Sequence, residues 1–162
     1  MDVEKRERVF EQALEDYRAG RLAMATKSLG NLIEKGSRDP AHISYYGLLR
    51  AFTHGTDDES IELCREAVDK DGRRASLLYL NLARALAAQG RRRDALGALE
   101  CGLVVHPNER RLKRELQHLV PRARLLFPSL PRRHPFNKCY GVARSLGGRV
   151  WLSMLPWRRR SV

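Results

Sequence analysis

The segment 76–109 constrains the fold of this chain more than any other feature. It holds two runs, 77–88 and 95–105, on either side of a short turn at Gly90. Apolar residues recur in both runs at intervals of three and four, which is typical of helices that bury one face. Gly90 can adopt the positive φ that ends a first helix, and Pro107 cannot continue a second one. The segment therefore predicts a hairpin of two helices.

Eight positions of this hairpin carry the residue types of a known repeat at its fixed spacing. They are Tyr79, Leu82, Ala83, Gly90, Ala95, Leu99, Gly102 and Pro107. On these residues the segment resembles a tetratricopeptide (TPR) repeat, a helix–turn–helix unit with a period of about 34 residues. The departures are mild, since Leu99 stands where an aromatic residue is common and Gly102 where Ala is usual. A helical hairpin of an unrelated bundle is the alternative interpretation.

Two looser copies of the pattern lie upstream, as expected because one repeat cannot bury its own apolar face. They occupy about 4–38 and 41–73, and the third repeat occupies 75–108. Gly55 marks the turn of the second copy. The Tyr46-Gly47-Leu48 cluster fits the pattern only after a shift of one residue, so this first helix is expected to start differently.

The expected fold is all-α: a right-handed TPR-type superhelix of three repeats, followed by a cap helix and an irregular basic tail. The cap helix is predicted over 109–120, where leucines recur between charged residues. Repeat arrays need such a polar end for solubility. The domain boundary is placed after residue 120, which gives a repeat domain over 1–120 and an extension over 121–162.

The charge of the chain is divided unevenly along its length. Residues 1–70 carry 11 Lys+Arg and 14 Asp+Glu, a net charge of −3, whereas residues 71–162 carry 20 and 5, a net charge of +15. No acidic residue follows Glu115. Such asymmetry predicts an acidic partner for the C-terminal part, which is a nucleic acid, an anionic membrane surface or an acidic protein surface.

The extension is rich in proline and basic residues, and it is similar to the extensions of small bacterial TPR proteins. Pro128, Pro131 and Pro135 disfavour a helix and favour an extended chain. The segment 125–136 is nevertheless too apolar for a solvated linker. We expect this segment to pack against the repeats, and the alternative is an exposed peptide that docks elsewhere.

The end of the extension combines arginine with tryptophan and forms a candidate electrostatic site. Its residues are Arg144, Arg149, Trp157, Arg158, Arg159 and Arg160. Tryptophan beside arginine suits the headgroups of an anionic membrane, and it also suits the phosphates and bases of a nucleic acid. A basic terminus that binds nothing is the third interpretation.

The sequence contains no recognisable pattern of catalytic or cofactor-binding residues. It has no P-loop, GxSxG, HExxH or Rossmann glycine motif, and its histidines and cysteines lack metal-ligand spacing. Cys64 and Cys101 are expected to be buried thiols, and His106 an exposed turn residue. We therefore expect a non-enzymatic protein without a cofactor or metal, located in a reducing cytoplasm or peripherally at the inner membrane face.

The TPR resemblance implies that function resides on the concave face, which first helices line and which holds an extended peptide or a partner helix. The candidate contact residues are Tyr45, Leu49, Arg50, Leu77, Leu80, Asn81 and Arg84. Asn81 could hydrogen-bond a peptide backbone, and Arg84 could pair with a carboxylate. The leading prediction is a scaffold or adaptor that binds a protein partner. The alternative is a peripheral membrane or nucleic-acid adaptor that uses the tail.

Truncations test whether the extension packs on the repeats. Deleting 157–162 is expected to leave the melting temperature unchanged, because exposed arginines gain at most about 1 kcal/mol from surface ion pairs. Deleting 121–162 should lower the melting temperature, because each large apolar side chain of 125–136 would lose burial worth roughly 1.5–3 kcal/mol. Thermal melts followed by circular dichroism measure both effects. If all three chains melt alike, the extension is a free tether.

Overall fold

The fold is built from helices alone in the part of the chain that the structure describes. This computed structural model describes residues 3–55 and 57–120. The helices are α1 (Val3–Arg18), α2 (Leu22–Glu34), α3 (Pro40–Thr53), α4 (Asp58–Asp71), α5 (Ser76–Ala88), α6 (Arg92–Val105) and α7 (Arg110–Leu119). Each helix packs on its successor, and α3, α5 and α7 also contact one another in turn. The predicted all-α class is confirmed, with three helical hairpins and a single final helix.

Local sequence signals set where several helices begin. The side chain of Asp39 accepts a hydrogen bond from the Ala41 amide at 2.8 Å, and Pro40 occupies the first position of α3. Asp57 caps α4 by accepting a hydrogen bond from the Glu59 amide at 3.1 Å. These residue types are preferred there because the first amides of a helix otherwise lack acceptors and proline has no amide hydrogen to satisfy.

The turn inside the second repeat is one residue longer than the turn inside the third. Gly47 and Ser60 meet where α3 crosses α4, and a Cβ on Gly47 would lie 2.6 Å from the Ser60 carbonyl oxygen. These two residues are thirteen positions apart, whereas Ala83 and Ala95 of the third repeat are twelve apart. The extra residue lies in the turn around Gly55, whose φ is +74°. This extra residue explains why the repeat pattern fits the sequence of α3 only after a shift of one residue.

Buried apolar side chains join each hairpin to the element that follows it. Leu48 and Ile61 of the second repeat share one cluster with Leu86 of the third. Leu112 of α7 is fully buried in a cluster with Leu99. The final helix therefore covers the apolar end of the third repeat with one face and carries charged residues on the other, as expected of a cap helix.

The environments of Cys101 and His106 differ from the sequence prediction. Cys64 is buried as predicted, and burial raises the pKa of its thiol to about 12, but Cys101 is exposed on α6. Position 101 shares a helix face with the exposed Val104, one turn away. His106 is half-buried rather than exposed, and its Nε2 lies 2.9 Å from the Gly72 carbonyl oxygen.

Two glycines of α6 differ in what surrounds them. A Cβ built on Gly102 would lie 2.8 Å from the Cβ of Tyr79 and 3.1 Å from Cδ1 of Leu112. A Cβ built on Gly97 meets nothing within 4 Å. The packing of α6 against α5 and α7 therefore requires glycine at position 102 and not at position 97.

Alanine substitutions at these glycines separate packing from helix propensity. Gly102→Ala and Gly97→Ala both gain roughly 1 kcal/mol of helix propensity. Only Gly102→Ala adds an overpacked contact, which costs about 1–3 kcal/mol. We expect Gly97→Ala to be at least as stable as the wild type in urea unfolding, and Gly102→Ala to be less stable than Gly97→Ala by that amount. Equal stability of the two variants would contradict the close approach at Gly102.

Candidate functional site

A concave surface runs along the first helices of the repeats and α7. The part of it between α3, α5 and α7, which we call the groove, has a volume of about 370 Å³. The residues that line the groove are Tyr45, Leu77, Leu80, Arg84, Arg111, Arg114, Glu115 and His118. They lie at helical spacings of three, four and seven within α5 and α7, so each helix presents one stripe of side chains to the groove.

Aromatic side chains from α1 and α3 form the wall of the groove that begins at Tyr45. The ring of Tyr45 packs edge-on against Phe10 and Tyr17, with centroids 5.7 and 6.3 Å away. Tyr17 stacks on Phe52, whose residue surface is 40% exposed. Burial raises the pKa of the Tyr45 phenol, so this hydroxyl remains a hydrogen-bond donor at neutral pH.

One ion pair spans the groove between α5 and α7. The Arg84 guanidinium donates through Nε and Nη2 to a single oxygen of Glu115, at 3.1 and 2.8 Å. The two side chains are 36% and 22% exposed. Desolvation alone would lower the pKa of Arg84, but the hydrogen bond and charge of Glu115 raise it above its usual value. The pair is therefore formed at neutral pH and stands partly in solvent.

The groove carries more positive charge than this pair neutralises. Arg111 and Arg114 line it beside Arg84, and Arg18 of α1 lies close enough for its charge to lower the pKa of Tyr45. No carboxylate among the described residues lies within 4.0 Å of these three other guanidinium groups. The groove is thus cationic over an apolar and aromatic surface, which suits a ligand that has both acidic and apolar groups.

The predicted contact residues divide into those on the groove and those below it. Tyr45, Leu77 and Arg84 line the groove and are partly exposed. Leu80 also borders the groove but is only 3% exposed, and Leu49 is 1% exposed. Leu49 is therefore not on the groove, and Leu80 presents little surface to it, because both side chains pack first helices on their neighbours.

Asn81, which the sequence analysis placed among the contact residues, is buried and does not line the groove. Its residue surface is 1% exposed, and its Nδ2 donates a hydrogen bond to the Ser44 hydroxyl at 3.1 Å. Ser44 lies on α3, so the bond joins the first helices of two successive repeats. Its carbonyl oxygen also accepts a hydrogen bond from Cys64 on α4, at 3.4 Å. The amide is thus part of the packing between repeats.

Arg50 lies outside the groove, contrary to the sequence prediction. Its guanidinium pairs with Asp57 at 2.7 Å and with Glu59 at 2.9 Å, and it lies 5.8 Å from the ring centroid of Tyr46. These contacts tie the end of α3 to the start of α4 across the longer turn. The sequence pattern of this repeat is shifted by one residue, and this shift is why the pattern placed Arg50 on the groove face of α3.

Several residues of the groove were not singled out by the sequence. Arg111, Arg114, Glu115 and His118 belong to α7, which the leucine pattern identifies only as a cap. Because α7 contacts α5 as α5 contacts α3, it continues the series of first helices. The signal that could have revealed its role is the polar stripe beside the leucine face of α7, repeated at helical spacing.

The candidate residues of the tail lie outside the described residues. These are Arg144, Arg149, Trp157, Arg158, Arg159 and Arg160. Within 3–55 and 57–120, no cluster of three or more His, Cys, Asp or Glu side chains is arranged to hold a metal ion. None of the helices described there is long and apolar enough to cross a membrane.

Comparison with known proteins agrees with this architecture. The chain is similar to the solved TPR domain of OM64 from Arabidopsis, at 16% sequence identity and a TM-score of 0.57. The match covers 72% of this chain and 95% of that domain. No family model and no curated protein matches the sequence. The likeness shows the fold, and the predicted TPR-type architecture is confirmed.

Alanine substitutions distinguish the role of the buried Asn81 from that of Arg84 on the groove. Asn81→Ala is expected to lower the free energy of unfolding by about 1–3 kcal/mol, because it removes the buried hydrogen bond to Ser44. Arg84→Ala should change it by less than about 1 kcal/mol, since its ion pair is partly exposed to solvent. Urea denaturation followed by circular dichroism measures both values. A neutral Asn81→Ala would mean that this side chain does not hold the repeats together.

Proposed function

We propose that this protein is a non-enzymatic scaffold or adaptor that binds a segment of a partner protein in the groove. The observation that carries the proposal is the pairing of half-exposed Tyr45 and Leu77 with the guanidinium of Arg84 on one surface. Burying a large apolar side chain there contributes roughly 1.5–3 kcal/mol to binding, and the arginine selects the orientation of the ligand.

The shape of the groove favours an elongated ligand. Its lining comes from α3, α5 and α7, and the aromatic wall extends it to α1. A peptide strand or a single helix can contact several successive helices at once, whereas a compact small molecule would contact only part of this surface. The TPR-type fold supports the same proposal, since arrays of this kind hold extended segments on their first helices.

The alternative function is that of a peripheral adaptor whose basic tail binds an anionic membrane or a nucleic acid. The net charge of +15 over residues 71–162 favours it. The residues of the basic tail lie outside the part of the chain that the structure describes, so the leading proposal rests on the groove. A location in the cytoplasm, or at the inner face of a membrane, is part of the same proposal.

Peptide selection on the intact chain tests the groove. Peptides from a random twelve-residue display library are selected on the full chain, and their dissociation constants are measured by fluorescence anisotropy. Leu77→Arg is expected to weaken them about tenfold or more, since it replaces an apolar contact with a charge. Val104→Arg is the matched control, because Val104 lies on α6 with 83% of its surface exposed, and it should bind as the wild type does.

The folded state of each variant is checked by its melting curve. If Leu77→Arg is unfolded, Leu77→Ser provides the same test with a smaller perturbation. Selected peptides that bind the folded variant as well as the wild type would place the interface elsewhere. Binding that survives this change but disappears at high salt would favour the tail instead.

A further inference from the structure

The Arg84–Glu115 pair has the character of a bound ligand supplied by the chain itself. We propose that Glu115 is an internal stand-in, and that the groove binds a partner segment whose acidic side chain displaces Glu115 from Arg84. This inference rests on the proposed function and specifies the chemistry of the partner. It also assigns α7 a second role, as a competitor for the site that it helps to form.

The guanidinium groups around the groove come from separate helices and converge on one area. Arg84 lies on α5, Arg111 and Arg114 lie on α7, and all three line the groove. Arg18, the last residue of α1, lies near enough to Tyr45 for its charge to act on the phenol, as the charges of Arg84 and Arg111 do. Glu115 is the single carboxylate of the groove lining. A second negative charge would therefore enter a strongly favourable environment.

The geometry of the pair leaves it open to exchange. Both hydrogen bonds from Arg84 end on the same oxygen, Oε2, so the carboxylate does not form the stronger two-oxygen fork. Both side chains are partly exposed, and ion pairs at such sites contribute little to stability. An incoming carboxylate can replace Glu115 with little loss, while Glu115 returns to solvent beside Arg111 and Arg114.

The rest of the surface limits which acidic segment fits. Tyr45 and Leu77 require an apolar residue next to the acidic one. The outer stripe of α1 carries Glu7, Glu11 and Glu15 together with Arg18, so its net charge is negative and would repel acid there. The acidic part must then lie on the side of α5 and α7. Residues 121–162 contain no Asp or Glu, so they offer no acidic side chain to the groove. The occupant we infer is a segment of another protein with acidic and apolar side chains in alternation.

Two labelled peptides and a short set of variants test the exchange. The probe is a ten-residue peptide of Leu, Glu and Gly, and its control has Gln in place of each Glu. Dissociation constants are measured by fluorescence anisotropy on the full chain at low and moderate salt. We expect the acidic probe to bind at least tenfold more tightly than the control at low salt, and the difference to shrink as salt increases.

The decisive variant is Glu115→Gln. It removes the competing charge and keeps the shape, so the acidic probe should bind about two- to fivefold more tightly, the range set by a partly exposed ion pair. Arg84→Gln and Arg111→Gln should weaken the acidic probe by at least that factor. Arg93→Gln is the matched control, because Arg93 is exposed on α6 outside the groove, and it should change nothing.

Each other outcome overturns the inference in a distinct way. Weaker binding by Glu115→Gln would show that Glu115 positions Arg84 for the ligand and does not compete with it. Equal binding of both probes, still lost in Leu77→Arg, would preserve the proposed groove function and remove the acidic specificity. Preference for a phosphoserine probe with no binding of the Glu probe would exclude a carboxylate ligand. Self-association that changes in Glu115→Gln, measured by sedimentation, would assign the groove to a second copy of the chain.

Discussion

The close approach of paired helices at small residues is the constraint on which the rest of the array depends. At Gly47 the backbone of α3 passes against the Ser60 carbonyl, and at Gly102 the backbone of α6 passes against Tyr79. Interiors packed at this density tolerate little added volume. Because the hairpins are drawn together in this way, successive first helices lie side by side, and their outer stripes form one continuous surface. The groove is therefore a consequence of packing inside the repeats.

The last helix contributes to both the hydrophobic core and the groove. Leu112 of α7 is buried with Leu99, so the helix closes a hydrophobic core that the third repeat would otherwise expose. A stripe of the same helix beside this buried face brings Arg111, Arg114 and Glu115 to the groove. A ten-residue helix with one buried stripe and one polar stripe meets both requirements at once. A substitution on the buried face of α7 changes the hydrophobic core, whereas a substitution on its polar stripe changes the charge of the groove.

The sequence predicted the helices well and the contact residues only in part, for physical reasons. Periodicity identifies which face of a helix is apolar, and it grouped Tyr45, Leu77 and Arg84, which the structure brings together on the groove. It cannot show that a polar residue is buried when its partner is on another helix, which is the case for Asn81. It also could not place Arg50, because the longer turn changes the register of that repeat. The polar stripe of α7 acquires meaning only once α7 is seen beside α5.

An internal carboxylate changes what the groove can discriminate. A neutral segment either leaves Arg84 paired with Glu115, and gains only apolar contact, or separates the pair and leaves a desolvated guanidinium without a partner. An acidic segment exchanges one carboxylate for another and avoids that cost. Specificity is a difference between two affinities, so lowering the affinity for neutral segments raises selectivity for acidic ones.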